Sequence, residues 1–202
     1  AANGVVTPGP LPERLPPSSE WVIGSVALFR PRKGLEVLLQ TLADLKQMGK
    51  TVRLRAVGPF ETLEYEKTIK ALAIRLGVAD MIDWIGFVQK IELEFHKMDV
   101  MTLPSLFGEG MPMVILEAMA TGVPVVASNV EGIPEVLEHR QTGLVVPAGD
   151  AHQLAKAIAE LMDGKYQWAS MREKAYQLQV ANFSDRSMAK AVAGVYDAIL
   201  KK

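Results

Sequence analysis

The chain contains no cysteine. That rules out a disulfide framework and thiolate-held metal, and it is compatible with a reducing cytosol. It carries almost no net charge, since 22 Lys and Arg stand against 23 Asp and Glu. A basic footprint for nucleic acid is therefore lacking, and no nucleic-acid partner is expected. No apolar run reaches the roughly 18 residues that a membrane span requires. The first residues have neither the basic region nor the apolar stretch of a secretory signal, so none is expected there. Histidine is scarce. His96, His139 and His152 lie far apart without metal-ligand spacing, and each is expected at the surface. The Gly-x-Gly-x-x-Gly fingerprint of a dinucleotide-binding turn is absent. No pairing of a nucleophile with a base stands out.

What is present suits one globular domain. Of the 202 residues, 49 % are apolar and 22 % charged, enough for a sizeable core. Residues 1–20 are rich in Pro, Gly and Ser and read as an extended arm or linker. From Trp21 onward short apolar runs alternate with longer amphipathic ones. Strands are expected at Val22–Leu28, Val52–Val57, Met81–Ile85, Val100–Leu103, Val123–Ala127 and Gly143–Val146. Helices are expected at Leu35–Met48, Thr62–Leu76, Ile91–Lys97, Met113–Thr121, Pro134–Glu138, Ala151–Asp163, Gln167–Val180 and Arg186–Leu200. Leu35, Leu38, Leu39, Leu42 and Leu45 mark one helix face. The alternation predicts an α/β, Rossmann-like parallel sheet of about six strands with helices on both faces. Ligands of such sheets sit at the carboxyl ends of the strands, where the loops Phe29–Lys33, Gly58–Glu61, Phe87–Lys90 and Pro104–Gly110 fall.

The stretch from Glu109 to Val126 is the most informative. It sets two carboxylates, Glu109 and Glu117, eight positions apart, one before a helix start and one inside the helix. Gly110 leaves the backbone uncovered next to Met111. Pro112 suits the first helical position, because its fixed φ fits a helix and its missing N–H would have had no partner. The amides of Met113 and Val114 then point outward at the positive end of the helix dipole, a site for phosphate. Glu117 falls about 8 Å further along the axis. It is flanked by Leu116, Ala118 and Met119, so its carboxylate needs a partner or a ligand. A ligand with hydroxyls at one end, an anion in the middle and a second diol beyond fits this layout, and a nucleotide sugar has it.

Glu, seven residues, Glu, then Ala118-Met119-Ala120-Thr121-Gly122-Val123-Pro124-Val125-Val126 resembles the signature of the family-four retaining glycosyltransferases with the GT-B fold. Pro104-Ser105 before it, and Gly132-Ile133-Pro134-Glu135 and Thr142-Gly143-Leu144-Val145-Val146-Pro147 after it, follow in the family's order. The resemblance covers most of the chain and implies the C-terminal, donor-binding half of that fold. Residues 1–20 would be an interdomain linker, residues 21–183 the nucleotide-sugar-binding domain and residues 184–202 a crossover helix. Asn3-Gly4-Val5 resembles the sequence just after the domain crossover. The N-terminal acceptor domain would then lie outside this chain, which alone would bind donor without transferring it. An apolar face on the last helix, Val192, Val195, Tyr196 and Ile199, would be left exposed and would favour self-association.

The resemblance also implies residue roles. Lys33, in Lys33-Gly34, neutralises the donor diphosphate. Glu109 contacts hydroxyls of the transferred sugar, and Glu117 binds the ribose. Glu109 and Lys33 are thus the expected catalytic residues. Arg30, Gly110, Met111, Pro112, Met113, Val114, Glu117 and Val88 are the expected substrate-binding ones. Many members carry an arginine five residues before the lysine. Leu28 stands there, and Arg30 or Arg32 could replace it. The loop Gly86-Phe87-Val88 holds the nucleobase through its backbone, with Phe87 equally placed to be core. Gly58 ends its strand near the diphosphate or in a plain turn. Glu131 replaces the first of two glycines, so that loop should differ in shape, and Glu135 caps the helix begun at Pro134. No Asp-x-Asp pair is present, so neither a metal nor another cofactor is expected. The enzyme would be cytoplasmic, with peripheral association at the membrane face compatible with its acceptors. A stand-alone nucleotide-sugar binding module and a GT-B epimerase or phosphorylase are the alternative readings.

Overall fold

The computed structural model describes residues 2–200. Six strands, Trp21–Val26 (β1), Val52–Val57 (β2), Ile82–Gly86 (β3), Val100–Leu103 (β4), Val125–Ser128 (β5) and Leu144–Val146 (β6), form one sheet in the order β3-β2-β1-β4-β5-β6. Every pairing is parallel. β4 and β5 are buried along their whole length, which is why they read as mainly apolar runs. The helices are Leu35–Gln47 (α1), Leu63–Arg75 (α2), Ile91–Phe95 (α3), Met113–Ala120 (α4), Ile133–Val136 (α5), Ala151–Met162 (α6), Trp168–Leu178 (α7) and Asp185–Leu200 (α8).

The pleat divides the core in two. Val100 and Val126 face the side covered by α1 and α6, where Leu38, Leu42, Leu154 and Ile158 pack. Met101, Leu103, Val125 and Ala127 face α4 and meet Ile115, Leu116 and Met119. Strand order runs outward from β1 in one direction and from β4 in the other, so the topology reverses between β1 and β4. Ile23 pairs with Val100 and Gly24 with Met101 at this reversal. The loops leaving the carboxyl ends of these two strands diverge to opposite faces and open a crevice.

Two local expectations need correction. Pro112 is not the first helical residue. Its φ of −75° would suit a helix, but its ψ of 98° is extended, so it is the N-cap and α4 begins at Met113. The penultimate helix stops at Leu178 and continues as a π-helical turn, Gln179–Phe183. Gln179 is buried there and its Nε2 donates to the carbonyls of Val5 and Phe183. The arm is extended and is tied down by bonds the sequence did not show. Val5 forms a parallel bridge with Ser184, Thr7 bonds Gln179, and the Tyr176 hydroxyl donates to Gly9 O at 2.8 Å. Arg172 reaches Pro12 O, and Arg14 pairs with the buried Asp99. The arm is thereby strapped across α7.

No residue of α8 is buried, and Val192, Val195, Tyr196 and Ile199 are all exposed on it, as the sequence predicts. Among the described residues no helix is long and apolar enough to cross a membrane.

Candidate functional site

At the topological reversal lies a cleft of about 490 Å³, within the range of small-molecule sites. Its floor is set by contact between two loops. After β1 the chain makes a short 3-10 turn, Pro31–Lys33, and enters Gly34 in the left-handed region at φ 68°. A Cβ on Gly34 would lie 2.0 Å from Pro104 O, so a side chain here would push the β1 and β4 loops apart. Leu106 N–H donates to Arg32 O at 2.8 Å, and Arg32 Nη1 donates to Gly108 O at 2.7 Å and Phe107 O at 3.3 Å.

This stitching brings Lys33 against Glu109. Lys33 Nζ donates to Glu109 Oε1, Ser105 Oγ donates to the same oxygen at 2.6 Å, and Arg32 Nη1 stands 3.8 Å from it. Glu109 is 6 % exposed, and a carboxylate so buried requires such partners. All three partners use Oε1. Oε2 has none among the described residues, which leaves one acceptor oxygen held in a fixed direction. Lys33 is the cation that lines the cleft at this end, with Arg32 turned to the loop behind it.

The N-terminus of α4 adds to that charge. Ile115 N–H is taken by Pro112 O at 3.0 Å, but the amides of Met113 and Val114 have no acceptor among the described residues. Both residues line the cleft with Lys33. Free amides, the helix dipole and an ammonium group converge there as an anion site. One turn further along α4, Glu117 also faces the cleft. It is half-buried and its carboxylate has no hydrogen-bond or ion-pair partner among the described residues. Burial, and then the charge of Glu92, push its carboxyl above the usual range. A second hollow of about 490 Å³ under the arm shares Ile91 and Glu117 with the first.

Of the remaining expected residues, Val88, Met111 and Pro112 line the cleft. Phe87 lines it too, 75 % exposed, and so is not core. Gly58 is more than a plain turn. Its φ is 125° and a Cβ would lie 1.9 Å from Ala27 O, at the cleft wall. Gly110 lies beside the wall rather than in it, with open space where its side chain would be. Arg30 is not brought in. Its guanidinium pairs with the exposed Glu61 at 3.3 Å, with Nε buried and unpartnered. Arg32 spends its guanidinium on loop carbonyls. Neither arginine is presented to the cleft as Lys33 is, and Leu28 lines it instead. All three histidines are exposed. Among the described residues no group of three His, Asp or Glu could hold a metal ion. Sequence reasoning assigned no role to Ser105 or to the carbonyl-binding part of Arg32. The one available signal for Ser105 was a hydroxyl four residues before a carboxylate it could reach.

The model for the glycosyl transferases group 1 family matches residues 12–178. This chain belongs to that family. It is 30 % identical over 193 residues to the lipopolysaccharide core biosynthesis mannosyltransferase LpsB of Rhizobium meliloti, covering 93 % of this chain and 54 % of that protein. It is 38 % identical over 140 residues to the GDP-mannose-dependent alpha-(1-6)-phosphatidylinositol monomannoside mannosyltransferase of Mycobacterium tuberculosis, covering 65 % of this chain and 36 % of the relative. Among solved structures, Anabaena Alr3699/HepE in complex with UDP superposes with a TM-score of 0.84 at 25 % identity, over 90 % of this chain and 50 % of that one. The chain spans about half of the length of the first of these curated relatives and about a third of the second.

Proposed function

We propose that this domain binds a nucleoside-diphosphate sugar and forms the donor half of a retaining, metal-independent glycosyltransferase that passes a hexose to an acceptor in glycan, lipopolysaccharide or glycolipid synthesis. The observation that carries this reading is the grouping of Lys33, Glu109, the free amides of Met113 and Val114, and the unpartnered Glu117 along one cleft at the sheet's reversal point. The diphosphate lies on the α4 amides and Lys33. An ammonium group has three N–H donors, so Lys33 can hold Glu109 and a phosphate oxygen together. As the glycosidic bond breaks, negative charge grows on the leaving diphosphate, and these fixed donors stabilise it without reorganising. Glu109, oriented through Oε1, offers Oε2 to hydroxyls of the transferred sugar. Glu117 accepts from the two ribose hydroxyls, and the Gly86–Val88 loop walls the base. The relatives named for mannosyl transfer and the neighbour that holds UDP support a nucleotide-sugar donor. Their greater length supports an acceptor half outside these 202 residues.

Two substitutions against two ligands test the orientation. Glu117→Ala should weaken both the nucleoside diphosphate and its sugar conjugate, because ribose is common to both. Glu109→Ala should spare the diphosphate and weaken the conjugate. Loss of diphosphate binding in Glu109→Ala with Glu117→Ala silent would reverse the assigned orientation. Titration calorimetry supplies all four values.

A further inference from the structure

Glu109 is also held from behind, by the loop that follows β5. Gly132 N–H donates to Glu109 O at 2.9 Å. A Cβ on Gly132 would lie 1.6 Å from Gly110 O, so the two backbones are in direct contact. Beside it, Glu131 Oε2 accepts from Glu109 N–H at 3.1 Å, and the Gly108 amide stands near the same carboxylate. These two amides have no other acceptor among the described residues. Gly108 sits at φ 76°, which turns consecutive N–H groups toward one point, the concave arrangement that binds anions. Glu131 itself has φ 27°, a left-handed backbone that a glutamate adopts only against a steric penalty. The amides of Gly108, then Glu109, with the nearby Arg32 charge, hold its carboxyl below the usual range against the opposing effect of burial. Strain is kept at this position together with a charged clamp on the neighbouring loop.

We propose that Glu131 is a positioning residue for the sugar end of the donor: its carboxylate gathers the Gly108 and Glu109 amides and so fixes the direction in which Glu109 presents Oε2 to the transferred sugar. The inference rests on the reading that Glu109 faces that sugar. The diphosphate and ribose contacts come from Lys33, the α4 amides and Glu117, none of which touches Glu131, so they do not depend on it. Glu131 therefore contributes to the preference for a nucleotide sugar over the bare diphosphate, and not to diphosphate affinity.

Glu131→Gly separates clamp from strain, because glycine accepts the backbone and removes the carboxylate. Glu131→Gln keeps one acceptor oxygen and should fall between. UDP with UDP-glucose and GDP with GDP-mannose serve as probe pairs for calorimetry. Amide hydrogen exchange of residues 107–110 is read on the same proteins without ligand. In Glu131→Gly the expected results are an unchanged or higher Tm and exchange at Gly108 and Glu109 at least tenfold faster. The conjugate should lose about tenfold in affinity relative to its diphosphate, with diphosphate affinity within twofold of the unmodified chain. Equal losses for diphosphate and conjugate, or unchanged exchange at Gly108 and Glu109, overturn the proposal. If the unmodified chain binds none of the four probes, it takes neither a UDP- nor a GDP-sugar and the sugar-positioning role is overturned for those donors, while exchange alone still reports whether the clamp exists.

Discussion

Replacing Lys33 by Met removes the ammonium group and keeps most of the stem. Glu109, whose side chain is 7 % exposed, then loses its direct cationic partner. Stripping a buried ion pair of one member costs about 3–5 kcal/mol when nothing replaces it. Here Ser105 still donates at 2.6 Å and Arg32 remains 3.8 Å away. The expected loss is therefore nearer that of one charge-assisted hydrogen bond, about 2 kcal/mol. Glu109→Gln leaves Lys33 with a side chain 15 % exposed, able to reach water, and should cost only about 1 kcal/mol. The double variant lacks the orphaned charge altogether. It should cost about 2 kcal/mol rather than the additive 3, a coupling of about 1 kcal/mol. Urea denaturation of the four proteins reads these values. Calorimetry with the nucleoside diphosphate gives the functional arm. Lys33→Met should weaken it by about 1.5–3 kcal/mol, the worth of a charged hydrogen bond, while the bare nucleoside is unaffected. Strict additivity of stability, or equal loss for nucleoside and diphosphate, would refute the assigned contact.

Glu117 offers a linked test. Burial raises its folded-state pKa above the unfolded value, so its penalty on folding is absent below the unfolded pKa and grows as pH rises through the folded one. Glu117→Gln should therefore raise Tm at pH 7, with the gain shrinking as pH falls towards the ordinary glutamate pKa of about 4.3, while donor affinity falls. A gain that widens towards acid would contradict the assignment, and thermal scans across pH read it. The exposed face of α8 should drive concentration-dependent association in light scattering, and Val195→Asp with Ile199→Asp should abolish it. A chain that is monomeric at every concentration would contradict that expectation.

The sheet was legible because its strands are short runs rich in Val, Leu and Ile, either alternating with arginine as in VRLRAV or buried throughout as in VMTL. Val52–Val57 and Val100–Leu103 lie where the sequence puts them, and the leucines of Leu35–Gln47 fix a helix face unambiguously. The crevice followed from strand–helix alternation, which placed the loops of Lys33 and Glu109 at the same sheet edge, but their direct contact was not foreseen. Pro112 was misjudged because proline fixes φ but not ψ, and ψ decides between first turn and cap. The strapped arm was hidden because the partners of Arg14 and Pro12 lie 85 and 160 residues away. The choice between Arg30 and Arg32 could not be made from spacing. It depends on Glu61 taking one guanidinium and on the Phe107 and Gly108 carbonyls taking the other. Glu131 was visible only as an unexpected residue at a glycine position. Its bonds need the left-handed turn at Gly108 to exist first.

The most direct measurement is titration of the 202-residue chain with UDP, GDP, ADP and dTDP and their hexose conjugates in excess chelator, with amide resonances followed by NMR. The expected result is saturable binding of at least one nucleotide, an affinity unchanged by chelation, and the largest shifts at Met113 and Val114 with perturbation around Lys33 and Glu117. Binding that collapses on chelation would contradict the metal-independent anion site. Shifts confined to other surfaces, or no binding by any nucleotide, would contradict the donor cleft itself.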